Sequence, residues 1–381
     1  MQPLKTRAQH QKLYQLLAIA LIIVLSLGLC GGTWNTSNAS TLIAYLPPGN
    51  AVTNPNALLR QALPLDHQAM LEVQEYLDNA SMTLTAATPK SLKKSWAEVQ
   101  HDTDKAVTAF SQHRADILEA IPADHRDHAA DLVDTISQAL MDLKGNSDLK
   151  NENTFKETSI RLVVSLNQLE KELIGDRPFL VPRAYQNLPQ LNGRATVVLE
   201  TTQGPMTVVV DGYSAPVTAG NFVDLVQRGF YRDLPFTRAE ESYVLQTGDP
   251  GGAIDGFIDP QTRQARTIPL EILVQGDTEP TYGDTLEDLG RYQDKPVLPF
   301  SAYGTLAMAR PGDDPNGGSS QFFFLLFEPD LTPAGLNLLD GRYSVFGYTI
   351  AGQEALAKLQ QGDKILSAKV IQGLENLVVP S

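Results

Sequence analysis

GTLAMARPGDDPNGGSSQFFF, at residues 304–324, is the stretch of sequence that decides the fold. Its centre, residues 311–318, consists of proline, glycine, aspartate and asparagine, which favour turns and left-handed backbone, so it predicts an exposed loop. Apolar runs at residues 306–309 and 322–327 flank this loop, and both are short enough to be β-strands bounded by turn residues. The stretch therefore predicts two neighbouring strands that present one polar loop.

Three blocks of sequence, in one order, carry a resemblance to a known family. One is the quoted stretch, with Ala-Met-Ala before the loop and Ser-Gln-Phe-Phe after it, and another is LDGRYSVFG at residues 339–347. The third lies upstream at residues 236–249, FTRAEESYVLQTGD, where Arg238 and Gln246 stand eight positions apart. On these motifs, residues 194–381 resemble the cyclophilins, the peptidyl-prolyl cis–trans isomerases. The resemblance implies a closed eight-stranded β-barrel capped by helices.

The resemblance implies a catalytic role for Arg238. Rotation about an X-Pro bond has a barrier of about 18–20 kcal/mol, because the twisted amide loses its resonance. The nitrogen lone pair becomes available only in the twisted form, so a guanidinium that donates to it stabilises the transition state selectively. Arginine stays charged at physiological pH, so this step needs no titrating acid or base. The alternative interpretation is that Arg238 is a surface ion-pair partner of Glu240 or Glu241.

The resemblance also implies a peptide-binding groove beside Arg238. We expect Gln246 and Gln321 to bind the substrate backbone or to orient Arg238, and Ala309 and Arg310 to pair with the peptide through main-chain groups. The residues expected to line the proline pocket and its rim are Phe236, Tyr243, Val244, Phe323, Leu338, Leu339 and Tyr343. For each apolar member of this set, ordinary barrel core is the alternative.

Several positions depart from the family's usual residues. Thr237 and Tyr343 stand where the family usually has histidines. The other departures are Tyr243 in place of a phenylalanine, Val244 in place of a methionine and Leu338 in place of a tryptophan. The pocket stays apolar, but it loses a polar rim group and a flat wall, while Glu240 and Glu241 place two negative charges near Arg238. These departures leave a second function open: a non-catalytic chaperone or scaffold that binds proline-containing segments, while the N-terminal part recruits a partner or covers the groove.

The first half of the chain has a helical pattern. Between residues 57 and 175, apolar residues recur at alternating steps of four and three, which places them on one stripe of a helix. The positions expected to mark helix ends are Thr88 with Pro89, Pro122, Gly145, Thr154 with Glu157, and Gly175. We therefore predict an antiparallel bundle of about four helices, followed by a proline-containing linker at residues 176–193.

The N-terminal segment predicts export. Basic residues within the first twelve positions precede an apolar run at residues 13–29, which is a signal pattern, and small residues offer a cleavage point after Ala39. An uncleaved membrane anchor is the alternative, because the run approaches the length that spans a bilayer. Acylation at Cys30 is a third interpretation. Residues 1–39 are thus a signal peptide or anchor, and membrane association is expected only through an uncleaved segment.

Composition restricts the partners and cofactors. With 30 basic and 44 acidic residues, the formal net charge of −14 argues against binding to nucleic acid. The single cysteine and the absence of histidine after residue 128 exclude a disulfide framework and a histidine-dependent site in the second half, so no metal or cofactor is expected.

The expected partners are proline-containing polypeptides. The combination of export signal, helical bundle and acidic barrel resembles the large thylakoid-lumen cyclophilins, which implies a location in the thylakoid lumen, with the periplasm as the alternative. It also implies a role in folding and in assembly of photosynthetic complexes, with photosystem subunits among the clients.

Overall fold

A computed structural model describes residues 52–65, 67–85, 87–175, 181–240, 243–252, 256–260, 263–327 and 337–380 of the chain. The N-terminal segment, with its signal, anchor and acylation alternatives, lies outside these residues. The described chain consists of a helical part followed by a β-barrel, and both belong to one compact unit. No helix in these ranges combines the length and the apolar character that crossing a bilayer requires.

The described N-terminal part contains five helices. They are α1 (Pro55–Ala62), α2 (Gln68–Thr85), α3 (Leu92–Ala120), α4 (Arg126–Asp148) and α5 (Glu152–Ile174). The four long helices α2 to α5 each pack on the next, and α2 also packs on α5, around a buried apolar core. The predicted bundle is therefore confirmed, with the short helix α1 as an addition.

Helix ends differ from the predicted ones at three places. Helix α3 begins after Ser91 rather than at Pro89, and α4 continues through Gly145, because a glycine inside a packed helix costs only about 1 kcal/mol. Helix α5 begins after Asn151, whose side chain accepts a hydrogen bond from the Thr154 N–H at 3.3 Å. Gly175 ends α5 with a φ of 63°, as predicted.

Eight antiparallel strands close into the predicted barrel. In chain order the strands of the whole domain are β1 (Gln190–Leu191), β2 (Arg194–Thr201), β3 (Gly204–Asp211), β4 (Leu234–Glu240), β5 (Val244–Thr247), β6 (Glu271–Ile272), β7 (Thr281–Tyr282), β8 (Thr305–Met308), β9 (Phe322–Leu325), β10 (Val345–Ala351), β11 (Lys364–Gln372) and β12 (Leu377–Val378). Around the barrel the order is β10, β3, β2, β11, β4, β5, β9, β8, and β8 pairs with β10 to close it. The pairs β1–β12 and β6–β7 lie outside the barrel.

The barrel carries apolar clusters on both faces of its wall. Helix α6 (Pro216–Gln227) is almost wholly buried in the interior cluster, where the Phe222 ring lies 5.2 Å from that of Phe322. Along β9 the side chains alternate, so Phe322 and Phe324 belong to the interior cluster and Phe323 belongs to an outer cluster. A short helix, α7 (Gln353–Leu356), packs on β3.

Helices α1 and α5 join the bundle to the barrel. Leu59 of α1 is 4% exposed and belongs to the outer cluster of the barrel. Buried Arg194, at the start of β2, donates to Asp211 Oδ2 at 2.6 Å, to Glu170 Oε2 of α5 at 3.3 Å and to the Leu59 carbonyl. Because a buried cation is tolerated only when it is paired and hydrogen-bonded, these contacts hold the bundle and barrel in one arrangement.

Candidate active site

A β-bulge in β4 brings Arg238 to the outside of the barrel. Phe236 pairs with Thr247 of β5, and Arg238 pairs with Gln246, so two steps along β4 match one step along β5. Without this bulge, residues two apart would point to the same face. With it, Phe236 points into the barrel and Arg238 points outward, where it is exposed.

Arg238, Gln246 and Phe323 form one row across three strands. Gln246 lies opposite Arg238 on one side and opposite Phe323 of β9 on the other. Directly opposed residues of antiparallel strands share a face, with Cβ atoms about 4.5–5.5 Å apart. The Gln246 amide donates to Gln321 Oε1 at 2.7 Å, which ties both glutamines together beside the arginine. The structure thus brings together the residues that the sequence predicted as catalytic and backbone-binding.

Phe323 is held between two other aromatic rings. The Phe300 ring is stacked nearly parallel to it at 6.0 Å, and the Tyr343 ring stands perpendicular to it at 5.5 Å. Phe323 and Val244 are each only 5% exposed, so they form the floor of the outer surface beside Arg238. This floor is closely packed and apolar, as a site for a proline ring requires.

The rim of the candidate groove is more exposed than its floor. Tyr243 is 36% exposed and Leu338 is 82% exposed, while Leu339 and Tyr343 are partly buried against the outer cluster. Leu338 therefore contributes little packed surface in the unbound protein, and the flat wall beside Phe323 is supplied by Tyr343. The side chains of Glu240 and Glu241, the proposed ion-pair partners of Arg238, lie outside the described residues.

Hydrogen bonds within the unbound protein hold the loop after β8 in place. The Ala309 N–H donates to the Gln321 carbonyl at 2.9 Å, so this donor is already used in the unbound protein. The predicted main-chain pairing with a peptide is therefore not supported for that N–H. The Arg310 guanidinium donates twice to the Arg342 carbonyl, at 3.1 and 2.9 Å, and once to the Pro311 carbonyl at 2.8 Å.

The prediction that Phe236 lines the groove is wrong. Its side chain is fully buried in the interior cluster, with its ring 6.5 Å from that of Phe324, so a bound peptide has no access to it. The F-x-R motif does not show this, because a regular strand would place Phe236 and Arg238 on the same face. The bulge separates them.

The sequence interpretation missed two residues behind the floor, Phe300 and Asp340. Asp340 accepts a hydrogen bond from the Phe300 N–H at 2.8 Å, which holds the Phe300 ring against Phe323. Burial raises the pKa of the Asp340 carboxyl to about 6. Asp340 had a signal in the Leu-Asp-Gly part of the motif block at residues 339–347, whereas Phe300 had only a short apolar run within a polar stretch.

The chemistry available at this site is electrostatic and steric. Within the described ranges, no group of three or more histidine, cysteine, aspartate or glutamate side chains is placed to bind a metal ion. The site offers an exposed guanidinium, two linked amides and an apolar floor in adjacent positions. Such a set suits binding and twisting of a peptide bond rather than its cleavage.

Two family models match the chain in succession. Residues 54–174 match the model described as "Peptidyl-prolyl cis-trans isomerase CYP38-like, PsbQ-like domain". Residues 196–375 match the cyclophilin-type peptidyl-prolyl cis–trans isomerase model. Together the two matches span the helical bundle and the barrel.

Two relatives by sequence agree with these matches. A Synechocystis sp. protein, named as a thylakoid lumen peptidyl-prolyl cis–trans isomerase, is 47% identical over 94% of this chain and 93% of its own length. The chloroplastic isomerase CYP38 of Arabidopsis thaliana is 39% identical over 89% of this chain and 78% of its own. A Cryptosporidium parvum cyclophilin crystal structure is 22% identical over 47% of this chain and 98% of its own, with a TM-score of 0.35. The chain therefore belongs to the cyclophilin-type peptidyl-prolyl cis–trans isomerases, the enzyme family that its motifs predicted.

Proposed function

We propose that this chain catalyses rotation about X-Pro bonds with Arg238 as its catalytic residue. The observation that carries the proposal is the row of Arg238, Gln246 and Phe323 on the outer face of the barrel. A proline ring seated on Phe323 would put its nitrogen next to the residues opposite Phe323 in the sheet. Arg238 would then donate to that nitrogen as the amide twists.

The floor and Arg238 have different roles, because only Arg238 distinguishes the twisted form of the X-Pro bond from the planar forms. The floor at Phe323 and Val244 contacts the proline ring, which has the same shape in the cis, trans and twisted forms, so it supplies uniform binding. Arg238 interacts with a lone pair that exists only in the twisted form, so it supplies selective stabilisation. The linked amides of Gln246 and Gln321 hold the peptide backbone and keep the guanidinium beside the nitrogen.

The biological setting that we propose is the thylakoid lumen. The support is the name of the Synechocystis relative, the chloroplastic name of CYP38 and the export pattern of residues 1–39. Within the lumen, the clients are proline-containing polypeptides, and folding of photosystem subunits during complex assembly is the proposed process. The bundle, which matches a PsbQ-like model, is the proposed site of partner recruitment.

The experiment compares the full-length protein with Arg238→Ala in a peptide isomerisation assay followed by NMR exchange spectroscopy. A hydrogen bond from a charged donor contributes about 1.5–3 kcal/mol, so its loss in Arg238→Ala is expected to lower kcat about 10- to 100-fold. Arg232→Ala is the matched control, because Arg232 is another exposed arginine of the same domain. Equal kcat values for wild type and Arg238→Ala would refute the catalytic role.

A peptide-holding function without fast turnover is the second candidate. The observation that favours it is the rim, where Leu338, which stands in place of the family's usual tryptophan, is 82% exposed and supplies no packed wall to hold a twisted amide. NMR titration with an Ala-Ala-Pro-Phe peptide separates the two functions. Saturable shifts without acceleration of exchange support holding, whereas acceleration that depends on Arg238 supports catalysis.

A further inference from the structure

The side chain of Arg310 joins two segments at the edge of the candidate groove. Its Nε and Nη2 atoms donate to the same carbonyl, that of Arg342, at 3.1 and 2.9 Å. Its Nη1 atom donates to the Pro311 carbonyl at 2.8 Å and approaches the Gly312 carbonyl at 3.4 Å. The guanidinium therefore connects the loop after β8 to the segment before β10.

The same guanidinium lies over an aromatic ring of the site. Its central carbon is 5.1 Å from the centroid of the Tyr343 ring, a distance typical of a cation–π contact. Tyr343 in turn stands perpendicular to Phe323, with ring centroids 5.5 Å apart. Arg310, Tyr343 and Phe323 are thus in continuous contact from the rim to the floor.

Tyr343 is supported from two sides, because its ring is partly buried against the outer cluster and the Arg310 guanidinium covers it at the rim. Leu338, the other residue expected to supply a wall, is 82% exposed and belongs to no described apolar cluster. A planar guanidinium with several fixed donors suits this supporting role, since it stacks on the ring and bonds to carbonyls on both segments at once.

We infer that Arg310 is a positioning residue, which holds the Tyr343 ring as the wall of the proline pocket and so sets the affinity for proline-containing peptides. The inference rests on the proposed function, but it concerns binding rather than the rotation step. Because the wall contacts the proline ring equally in the planar and twisted forms, Arg310 acts on KM and on Kd, with kcat unchanged. Arg238, in contrast, acts on kcat.

The first part of the test measures Kd by NMR titration of the full-length protein with an Ala-Ala-Pro-Phe peptide, and KM and kcat by exchange spectroscopy. Arg310→Met is expected to raise both Kd and KM about fivefold, as expected for loss of a contact of about 1 kcal/mol, with kcat within about twofold of wild type. Arg228→Met is the matched control, because Arg228 also bonds to a neighbour, Asp224, and lies 5.8 Å from a ring, that of Phe257. Unchanged Kd in Arg310→Met overturns the inference.

The second part separates positioning from simple charge. Arg310→Lys keeps the positive charge but lacks the planar fork, so its Kd is expected to rise as in Arg310→Met. Recovery of wild-type affinity by lysine would mean that charge alone acts, and would overturn the inference. If Arg310→Met does not fold, as judged by near-ultraviolet circular dichroism, Arg310→Lys carries the test.

A double-variant cycle tests whether Arg310 acts through Tyr343. Tyr343→Ala is expected to raise Kd about tenfold, and adding Arg310→Met should raise it by less than about twofold more. Independent effects that multiply would mean direct contact between Arg310 and the peptide, which contradicts a positioning role. Kd is measured without turnover, so it tests the role of Arg310 independently of catalysis. A normal rate in Arg238→Ala would refute the catalytic proposal but would leave the Kd of the Arg310 variants interpretable.

Discussion

Arg238 lies directly opposite Gln246 across strands β4 and β5, on the outer face of the barrel. The Gln246 amide donates to Gln321 at 2.7 Å, and Gln246 also lies opposite Phe323. The cation is therefore one strand away from a linked pair of amides and two strands away from the apolar floor. Each member of the row can be substituted separately, which makes its contribution measurable.

Gln246→Leu tests the linked amides. The change removes the polar neighbour of Arg238 and leaves Gln321 Oε1 without its donor, so kcat/KM is expected to fall about tenfold, equivalent to about 1–2 kcal/mol. The matched control is Gln138→Leu in the bundle, which removes an exposed amide that donates to Asp142 at 2.9 Å. Wild-type kcat/KM in Gln246→Leu would show that the amides do not orient the site.

Gly248→Ala tests how closely β5 must approach β9. Gly248 has a φ of 94°, and a Cβ there would lie 2.4 Å from the Ser320 carbonyl oxygen and 2.9 Å from the Gln321 Cα. The alanine must push the backbone beside Gln321, so we expect a loss of more than about 2 kcal/mol in the free energy of unfolding and reduced kcat/KM.

The control for this change is Gly251→Ala. Gly251 has a φ of 74°, but nothing lies within 4 Å of its added Cβ, so only the left-handed strain of about 1 kcal/mol is expected. Urea denaturation and the peptide assay measure both variants. Equal effects in the two variants would show that backbone strain, not the contact with β9, determines the result.

Arg194→Met tests the junction between bundle and barrel. It leaves the buried carboxylates of Glu170 and Asp211 without their shared cation, so we expect a loss of about 3–5 kcal/mol in the free energy of unfolding. Burial raises the pKa of Glu170, so part of this loss is relieved at low pH as Glu170 is protonated.

The measurement is urea unfolding followed by fluorescence of Trp96, which packs edge-on against Phe155 in the bundle core at 5.9 Å. A barrel variant that shifts the Trp96 transition demonstrates coupling between the two parts. Lys156→Met, which breaks an exposed pair with Glu152, is expected to cost less than about 0.5 kcal/mol. An unshifted Trp96 transition in Arg194→Met would mean that the two parts unfold independently.

Asp340→Asn tests the pH dependence that burial predicts. The folded-state pKa of Asp340 is about 6 and its ordinary value is 3.8, so the folded protein binds the proton more tightly than the unfolded chain. The stability from this group is fully present below pH 4 and is lost as the pH rises through about 6. Asparagine keeps an oxygen that accepts from the Phe300 N–H, but carries no charge.

The variant is therefore expected to match wild type near pH 4 and to be more stable near pH 7, by up to about 3 kcal/mol. Urea unfolding at closely spaced pH values measures the difference between the two proteins, which cancels the contributions of other buried carboxyls. A difference that does not change between pH 4 and pH 7 would contradict the assignment to Asp340.

The sequence predicted the barrel, the bundle and the placement of Arg238, Gln246 and Phe323 in one site. The bundle was predicted from local periodicity, whereas the barrel and the site were implied by the resemblance of three motif blocks to the cyclophilins. Glycine and proline at residues 311–318 predict the loop, and apolar residues spaced three and four apart predict the helices. Gly175 ends a helix because its left-handed φ is local chemistry.

What the sequence alone determined was therefore the type of each element and the set of residues that the motifs assign to the site. The tertiary structure decided which of them face the peptide. A bulge at one position of β4 sends Phe236 inward and Arg238 outward. Packing of the segment before β8 brings Phe300 onto Phe323, and packing of the bundle on the barrel brings Glu170 onto Arg194. These relationships depend on strand register and on contacts between segments that are distant in the sequence. A local pattern of side chains predicts neither the register nor those contacts.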